Sequence, residues 1–493
     1  MTSYSQRSAI ECLLKKERGT IYKVFGSLPS AAICFPNTYC LGASNLGLHF
    51  LYQTVNSRPD FLGERFFYDF RTLSLENRQP LNRFNILLFT IPYELDLANC
   101  LEMLHRAGIP LLRKDRTEAH PLICAGGIAV TMNPLPLYDF MDIMFLGDGE
   151  LTLPTLLDTF VKVKGKKQEI LQALRGDTGF FVPGDGRDDE ISKIPRRAMC
   201  HDLDGAPISS VFLTPDTEFP DTCLLEMTRG CPYNCAFCYI GHNQKPFRFH
   251  SFESIVQAMK DKGSMTSQFG LISSAVTAHP ELDKICEYAM HERFNISFSS
   301  LRADHLSDSV IEVLLRSGQR TITLAPETGS DEFRSALAKS MTNDEILSAV
   351  TRGLRAGIVN LKLYFILGLP GEGAGEIEAS AELVRKIQRI LVEEGRKRGH
   401  IGEIIVAVSF FVPKPGTPFA TRTQPTISEL KKRQQGFRAS LRVLPHVRFQ
   451  PADPYEAAVQ MLLSCGGRET ARILLKKIKG QFSWKTALAQ FKT

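Results

Sequence analysis

EMTRGCPYNCAFCYIG, residues 226–241, closes the apolar run CLLEMT (223–228) and carries three of the chain's twelve cysteines. Three residues separate Cys231 from Cys235, and two separate Cys235 from Cys238. Three thiolates on one short loop can ligate three irons of a cubane 4Fe–4S cluster and leave the fourth iron for an outside ligand. A structural zinc site wants four protein ligands, commonly as two CxxC pairs, and no second pair exists here. His242 and His250 are near enough in sequence to complete a zinc site, so that alternative stays open beside the cluster.

Outward from this loop, short apolar runs alternate with helical patterns. Strand candidates are 223–228, 269–273, 296–300, 321–325, 359–367 and 403–411; helix candidates are 252–262, 281–293, 308–317, 344–356, 376–395 and 427–443. Six strand–helix units in about 220 residues predict an open, partial (β/α)6 barrel rather than eight closed units. Ligands of parallel α/β folds gather at the carboxyl ends of strands, and the cysteine loop follows the first strand. Lys362, inside an otherwise apolar strand, faces either the lumen or a buried partner.

Toward the N-terminus the same alternation recurs at 31–35, 65–69, 84–89, 122–125 and 142–146. Between the strands lie amphipathic segments such as Glu94–Ala107, with Leu95, Leu97, Leu101 and Leu104 on one face. This predicts an α/β fold class: a Rossmann-like parallel sheet domain over 1–160, covered on both faces. Charge runs and Gly/Pro punctuation over 161–220 read as a linker with a short helix near Gln168–Arg175. The barrel then spans 221–445, and 446–493 reads as a helical, mildly basic C-terminal region. No internal repeat of solenoid period is present.

Composition bounds the partners. The 493 residues are 43% hydrophobic and 23% charged, which excludes a disordered or collagen-like chain and implies more than one domain. Lys+Arg 59 against Asp+Glu 53 gives a net charge of +6, too mild to indicate a nucleic-acid or membrane partner. Residues 1–23 lack the apolar core of a signal peptide, and the longest apolar runs fall short of a membrane span. A cytoplasmic location is expected. The nine scattered cysteines (Cys12, Cys34, Cys40, Cys100, Cys124, Cys200, Cys223, Cys286 and Cys465) read as free thiols, several of them buried.

The CxxxCxxC motif after a first barrel strand, with Phe237 just before the third cysteine, resembles the signature of the radical S-adenosylmethionine superfamily. The resemblance implies a 4Fe–4S cluster on Cys231, Cys235 and Cys238, whose free iron is chelated by the amino and carboxylate groups of S-adenosylmethionine. One electron, from a donor such as flavodoxin or ferredoxin, then cleaves the sulfonium to methionine and a 5′-deoxyadenosyl radical. It further implies cofactor contacts from Phe237, from Ser300 and Arg302 in SFSSLR, from Glu327 in APETGS, and from Gly368, Leu369 and Gly371 in FILGLPGE. The family's GGE-like segment after the second strand is absent. LISSAVTAHPELD stands there, leaving Ser273 and Ser274 for the methionyl amino group. Taken as residues alone, Arg302 and Glu327 also suit rim ion pairs, and the two glycines a strand-ending turn.

The resemblance covers roughly residues 20–470. FPNTYCLGASNLGLHFLYQTVN, AGGIAVTMNPLPLYDFMDIMFLGDGE, APETGSDEFR and FVPKPGTPF are similar to the group that carries an N-terminal cobalamin-binding-like domain. That similarity implies a methyltransferase using methylcobalamin. The DxHxxG signature is missing; His49, His105 and His120 are the only histidines of the domain, none in that context. Cobalamin binding and a scaffold without the corrinoid therefore both stay open. Asp148 and Glu150 could touch a ligand there, although Asp148 also suits a helix N-cap.

The expected function is a radical S-adenosylmethionine iron–sulfur enzyme of the cobalamin-type methyltransferase kind, its substrate unspecified. The alternatives are a methylthiotransferase-like RNA- or protein-modifying enzyme and a non-enzymatic metal-stabilised scaffold or redox sensor. No catalytic acid or base is assigned: Tyr239, Tyr364 and His242 suit packing or hydrogen bonding.

Overall fold

The computed structural model describes residues 3–70, 73–184, 194–205, 208–299, 301–481 and 483–491. The chain divides into two units. One comprises Met1–Asp202, Ile208–Thr222 and Leu462–Thr493; the other comprises Leu203–Pro207 and Cys223–Met461.

The first unit is built on β1 (Ser30–Phe35), β2 (Leu62–Phe67), β3 (Ile86–Thr90), β4 (Leu122–Gly126), β5 (Ile143–Phe145) and β6 (Phe180–Phe181), in the order β2-β1-β3-β4-β5-β6. The first five are parallel and buried along their whole length, as continuous apolar runs require. The sheet is mixed, because β6 pairs antiparallel with β5 at the edge. The order 2-1-3-4-5 is the flavodoxin-like doubly wound arrangement, with its switch point between β1 and β3.

Three sequence expectations shift here. β2 starts ahead of the 65–69 reading because Glu64 and Arg65 are themselves buried. Arg65 is held by Glu17 (2.7 Å) and Glu76 (2.6 Å) and lies 4.0 Å from the Phe212 ring. Within the stretch read as a linker, helix Lys167–Leu174 buries Ile170, Leu171 and Leu174, β6 joins the sheet, and Ile208–Thr222 packs in this unit through Phe212. Charge density masked those few apolar anchors. Asp148 sits at an N-cap position without a side-chain cap and accepts instead from the Cys200 N–H (2.8 Å).

The C-terminal segment also completes this unit. Asn133 donates to the carbonyls of Leu463 (3.2 Å), Ser464 (3.0 Å) and Gly466 (2.8 Å). Ser464 donates to Glu94 (2.8 Å), and Arg468 pairs with Asp139 (2.8 Å).

The second unit contains β7 (Cys223–Glu226), a small ribbon of β8 (Thr228–Arg229) and β9 (Arg248–Phe249), then β10 (Gln268–Ile272), β11 (Asn295–Phe298), β12 (Thr321–Glu327), β13 (Asn360–Leu367), β14 (Ile404–Phe410) and β15 (Val447–Gln450). Two parallel sheets, β11-β10-β7 and β12-β13-β14-β15, meet at a single bridge, where the Leu301 N–H donates to the Thr323 carbonyl (3.1 Å). The result is the expected six-unit partial barrel with one strand more. β15 lies where the sequence reading begins a wholly helical tail, its alternating pattern too short to stand out.

Alternation within the strands separates the two faces. Leu361, Leu363, Phe365 and Leu367 of β13 are buried under the outer helices, with Phe365 5.3 Å from Phe437. Lys362, Tyr364 and Ile366 point the other way, into the lumen. Among the described residues, no helix is long and apolar enough to cross a membrane.

Candidate functional site

The cysteine loop leaves the carboxyl end of β7 through the short strand β8. Gly230 adopts φ 84°, and a Cβ there would collide with the Gln244 carbonyl oxygen. The loop is then tied down at Ala236, whose N–H donates to the Leu337 carbonyl (2.8 Å) and whose carbonyl accepts from the Phe419 N–H (3.3 Å). His242 Nε2 bonds the carbonyls of Asn234 (3.1 Å) and Cys235 (3.1 Å). His250 is buried, its nitrogens 3.6 Å from Asp204 and 3.5 Å from Glu226. His242 is thus engaged by backbone, His250 faces two carboxylates rather than the cysteine loop, and among the described residues no three His, Cys, Asp or Glu converge on one metal ion.

The three thiols remain. Cys231, Cys235 and Cys238 are free and partly accessible. Burial pushes the Cys235 thiol up to about 11 and raises that of Cys231, while the charges of Lys339 and Arg302 oppose the rise at both. Two cations beside Cys231 and Cys235 suit the negative charge that a thiolate-ligated cluster brings.

Those cations are placed by the turn after β11 and the segment after β12. Arg302 grips Asp304 through two hydrogen bonds (3.0 and 2.6 Å), donates to the Ser340 carbonyl (3.2 Å) and stacks 3.7 Å from the ring centroid of Tyr233 in the cysteine loop. Glu327 ends β12 after a register shift, with φ 65°, and pairs with Lys339 at 2.7 Å. Lys339 also donates to the Ala325 carbonyl (2.6 Å). Sequence reasoning missed Lys339 and, with it, the whole Leu337–Met341 segment. Arg334, fully buried, holds that segment by donating to the carbonyls of Pro326 (3.2 Å) and Met341 (2.9 Å) and to Asp331 (2.6 Å). Its position three residues after Asp331, at an i,i+3 spacing on one helix, was the available clue.

The other expected residues are distributed as follows. Phe237 packs on a small apolar cluster with Leu337, Leu369 and Phe411, so Phe237 and Leu369 share one wall. Gly368 (φ 85°) and Gly371 (φ 90°) form the turn after β13, braced by Glu372, which accepts from the Gly368 N–H (2.7 Å) and from Arg433 (2.6 Å). A Cβ on Gly368 would come within 2.7 Å of Leu430. Ser273 hydrogen-bonds Thr228 and accepts from the Ala275 N–H (2.9 Å), whereas Ser274 is exposed. Ser300 lies outside the described residues.

In the first unit, the carboxyl edge of the sheet carries a different signal. Leu41, Tyr93 and Leu151, which follow β1, β3 and β5, are 42%, 41% and 47% exposed. The three histidines of residues 1–160 do not join them. His49 is buried between the Ala43 carbonyl (3.0 Å) and the Val211 N–H (3.0 Å). His105 closes helix Asp96–Arg106 at the opposite end of the sheet, and His120 precedes β4 there. Near that edge, burial raises the Asp96 carboxyl to about 6 despite a hydrogen bond from Asn37 (2.7 Å).

Comparison with known proteins agrees with this layout. The family described as radical SAM proteins, N-terminal, matches residues 47–183, and the radical SAM superfamily matches residues 225–384. An uncharacterised protein of Methanocaldococcus jannaschii is 26% identical over 394 residues, 80% of this chain and 79% of the relative. An uncharacterised methyltransferase of Pyrococcus horikoshii is 25% identical over 278 residues, 54% of this chain and 58% of the relative. Among solved structures, the radical S-adenosylmethionine methyltransferase TsrM of Kitasatospora setae, with tryptophan substrate and a SAM analogue bound, superposes with a TM-score of 0.57 at 13% identity, covering 91% of this chain and 99% of that one. That likeness is one of fold. With the motif, the barrel and both matched segments in register, the chain belongs to the radical S-adenosylmethionine superfamily, in the group that carries a separate N-terminal domain before the barrel.

Proposed function

We propose that this chain is a radical S-adenosylmethionine methyltransferase in which Cys231, Cys235 and Cys238 hold a 4Fe–4S cluster. The observation that carries the reading is the trio of free, partly accessible cysteines on the loop after β7, with Arg302 and Lys339 beside Cys231 and Cys235. Bound there, the cluster and S-adenosylmethionine supply reductive cleavage of the sulfonium, and the chemistry is theirs. The chain's own residues position and shield. Phe237 and Leu369 form an apolar wall, and the Gly368–Gly371 turn lets backbone approach a nucleotide. Ser273 and Arg302 stand at strand ends where a methionyl group would be held.

A corrinoid at the carboxyl edge of the first unit's sheet, beside the exposed Leu41, Tyr93 and Leu151, completes the cofactor reading, and His49, His105 and His120 are not placed to ligate it. The Pyrococcus relative's methyltransferase name and TsrM's cobalamin-bound form support that class. A second cluster of the methylthiotransferase kind has no support in Cys34, Cys100 and Cys124, which are buried thiols raised by desolvation, or in Cys40, which is partly accessible and donates to Glu218 (3.5 Å). An intracellular setting and a low-potential protein electron donor complete the proposal.

Anaerobic reconstitution should yield about four irons per chain, and dithionite plus S-adenosylmethionine should release 5′-deoxyadenosine or methylated product. A variant with all three cysteines changed to alanine that kept the same iron and the same turnover would sink the proposal. Purification from cobalamin-supplemented cells should add a corrinoid absorption band to the iron–sulfur shoulder.

A further inference from the structure

The charges near the barrel's inner face are matched almost everywhere. Glu226 pairs with Arg229 (2.6 Å), Glu327 with Lys339 (2.7 Å) and Arg302 with Asp304 (2.6 Å). Lys362 is the exception. It lies on the inward face of β13, a central strand, opposite Thr323 of β12 and Ile405 of β14. Among the described residues it has no acidic partner and no hydrogen bond; its ammonium rests 5.1 Å from the ring centroid of Tyr364, two residues nearer the carboxyl end.

Tyr364 is itself 36% exposed, unusual for the middle of a parallel strand, and its hydroxyl likewise has no partner among the described residues. On β14, one strand over, Ser409 faces the same way, exposed and without a hydrogen bond. An ammonium, a phenol and a hydroxyl, all idle, therefore share one inner wall. A half-buried cation without a counter-ion is an unsatisfied electrostatic demand. Its single positive charge is balanced by one carboxylate, whereas a phosphate monoester brings close to two negative charges.

We infer that this wall is the substrate floor: Lys362 takes the carboxylate of a small organic acid, and the body of that acid lies along the Tyr364 ring toward Ser409. The inference rests on the radical S-adenosylmethionine reading, and it narrows the substrate class to carboxylate-bearing molecules. Lys362 and Tyr364 are then specificity-determining residues, with the reacting carbon set by how far along the wall the acid extends.

The test uses the full-length, cluster-reconstituted chain with S-adenosylmethionine at saturation, so that the cofactor's own site is filled. Saturation-transfer NMR measures binding of three matched probes: benzoate, benzamide and phenyl phosphate. The wild type should bind benzoate about ten-fold or more tighter than either of the others, the return of one charge-assisted contact. Lys362→Met should abolish that preference and Lys362→Arg should keep it. Equal binding of benzoate and benzamide by the wild type overturns the inference, and that comparison needs no variant to fold. A preference for phenyl phosphate, or a benzoate preference that survives Lys362→Met, overturns it as well. Cleavage of S-adenosylmethionine is assayed on the same wild-type sample. Its absence counts against the cluster reading, while its presence without a benzoate preference counts against the substrate floor alone.

Discussion

Asp96 shows how a single side chain reports its surroundings. Removed from water at the first unit's carboxyl edge, its carboxyl titrates at about 6 in the folded chain, against about 4 when unfolded. The folded state thus binds this proton more tightly. The resulting stabilisation is complete below about pH 4 and is lost as pH rises through about 6. Asp96→Asn keeps an oxygen for the Asn37 amide and removes the buried charge. It should raise the melting temperature at pH 8 by an amount corresponding to about 1–2 kcal/mol, with little change at pH 4.5. Thermal melts of both proteins at the two pH values check this; equal shifts at both would contradict it. Arg334 makes the complementary point, since its buried charge is tolerated because carbonyls and Asp331 satisfy it.

At the level of elements, the cysteine loop depends on shape rather than on its own secondary structure. Gly230→Ala sets a methyl against the Gln244 carbonyl and forces a left-handed φ on alanine. Reconstituted iron should fall well below that of the wild type, and stability should drop by more than about 1 kcal/mol. Gly176→Ala, at a similar φ of 89° but with open space around the added carbon, isolates the backbone contribution. Wild-type iron content in Gly230→Ala would show that the loop tolerates the displacement. The strands were legible because buried parallel strands are written as apolar runs, and the cysteines because their spacing is chemistry in itself. The Leu337–Met341 segment was not. It is irregular, and its contacts with Ala236, Arg302 and Glu327 span 12 to more than 100 positions of chain, a separation with no local periodicity to betray it. Ser273 was legible as a residue type, but the hydrogen bonds of its hydroxyl with Thr228 and the Ala275 N–H, set by packing, were not.

Across the whole molecule, the order of elements along the chain and their membership of units do not coincide. Residues from Leu462 onward belong with the N-terminal sheet, attached largely through Asn133, Glu94 and Asp139. Asn133→Ala leaves three buried carbonyls without their donor and should lower stability by about 2 kcal/mol. Limited proteolysis should then cut first between residues 462 and 480, and a wild-type cleavage pattern would refute the assignment.

That return of the chain also governs biogenesis. A polypeptide emerging from the ribosome ordinarily closes its leading domain first. Here the leading sheet must wait, with the surface that Leu462 and Leu463 occupy uncovered, until more than two hundred further residues of barrel have been translated. The barrel can therefore mature before the domain that precedes it, which makes the nascent leading half a natural client for chaperones during synthesis.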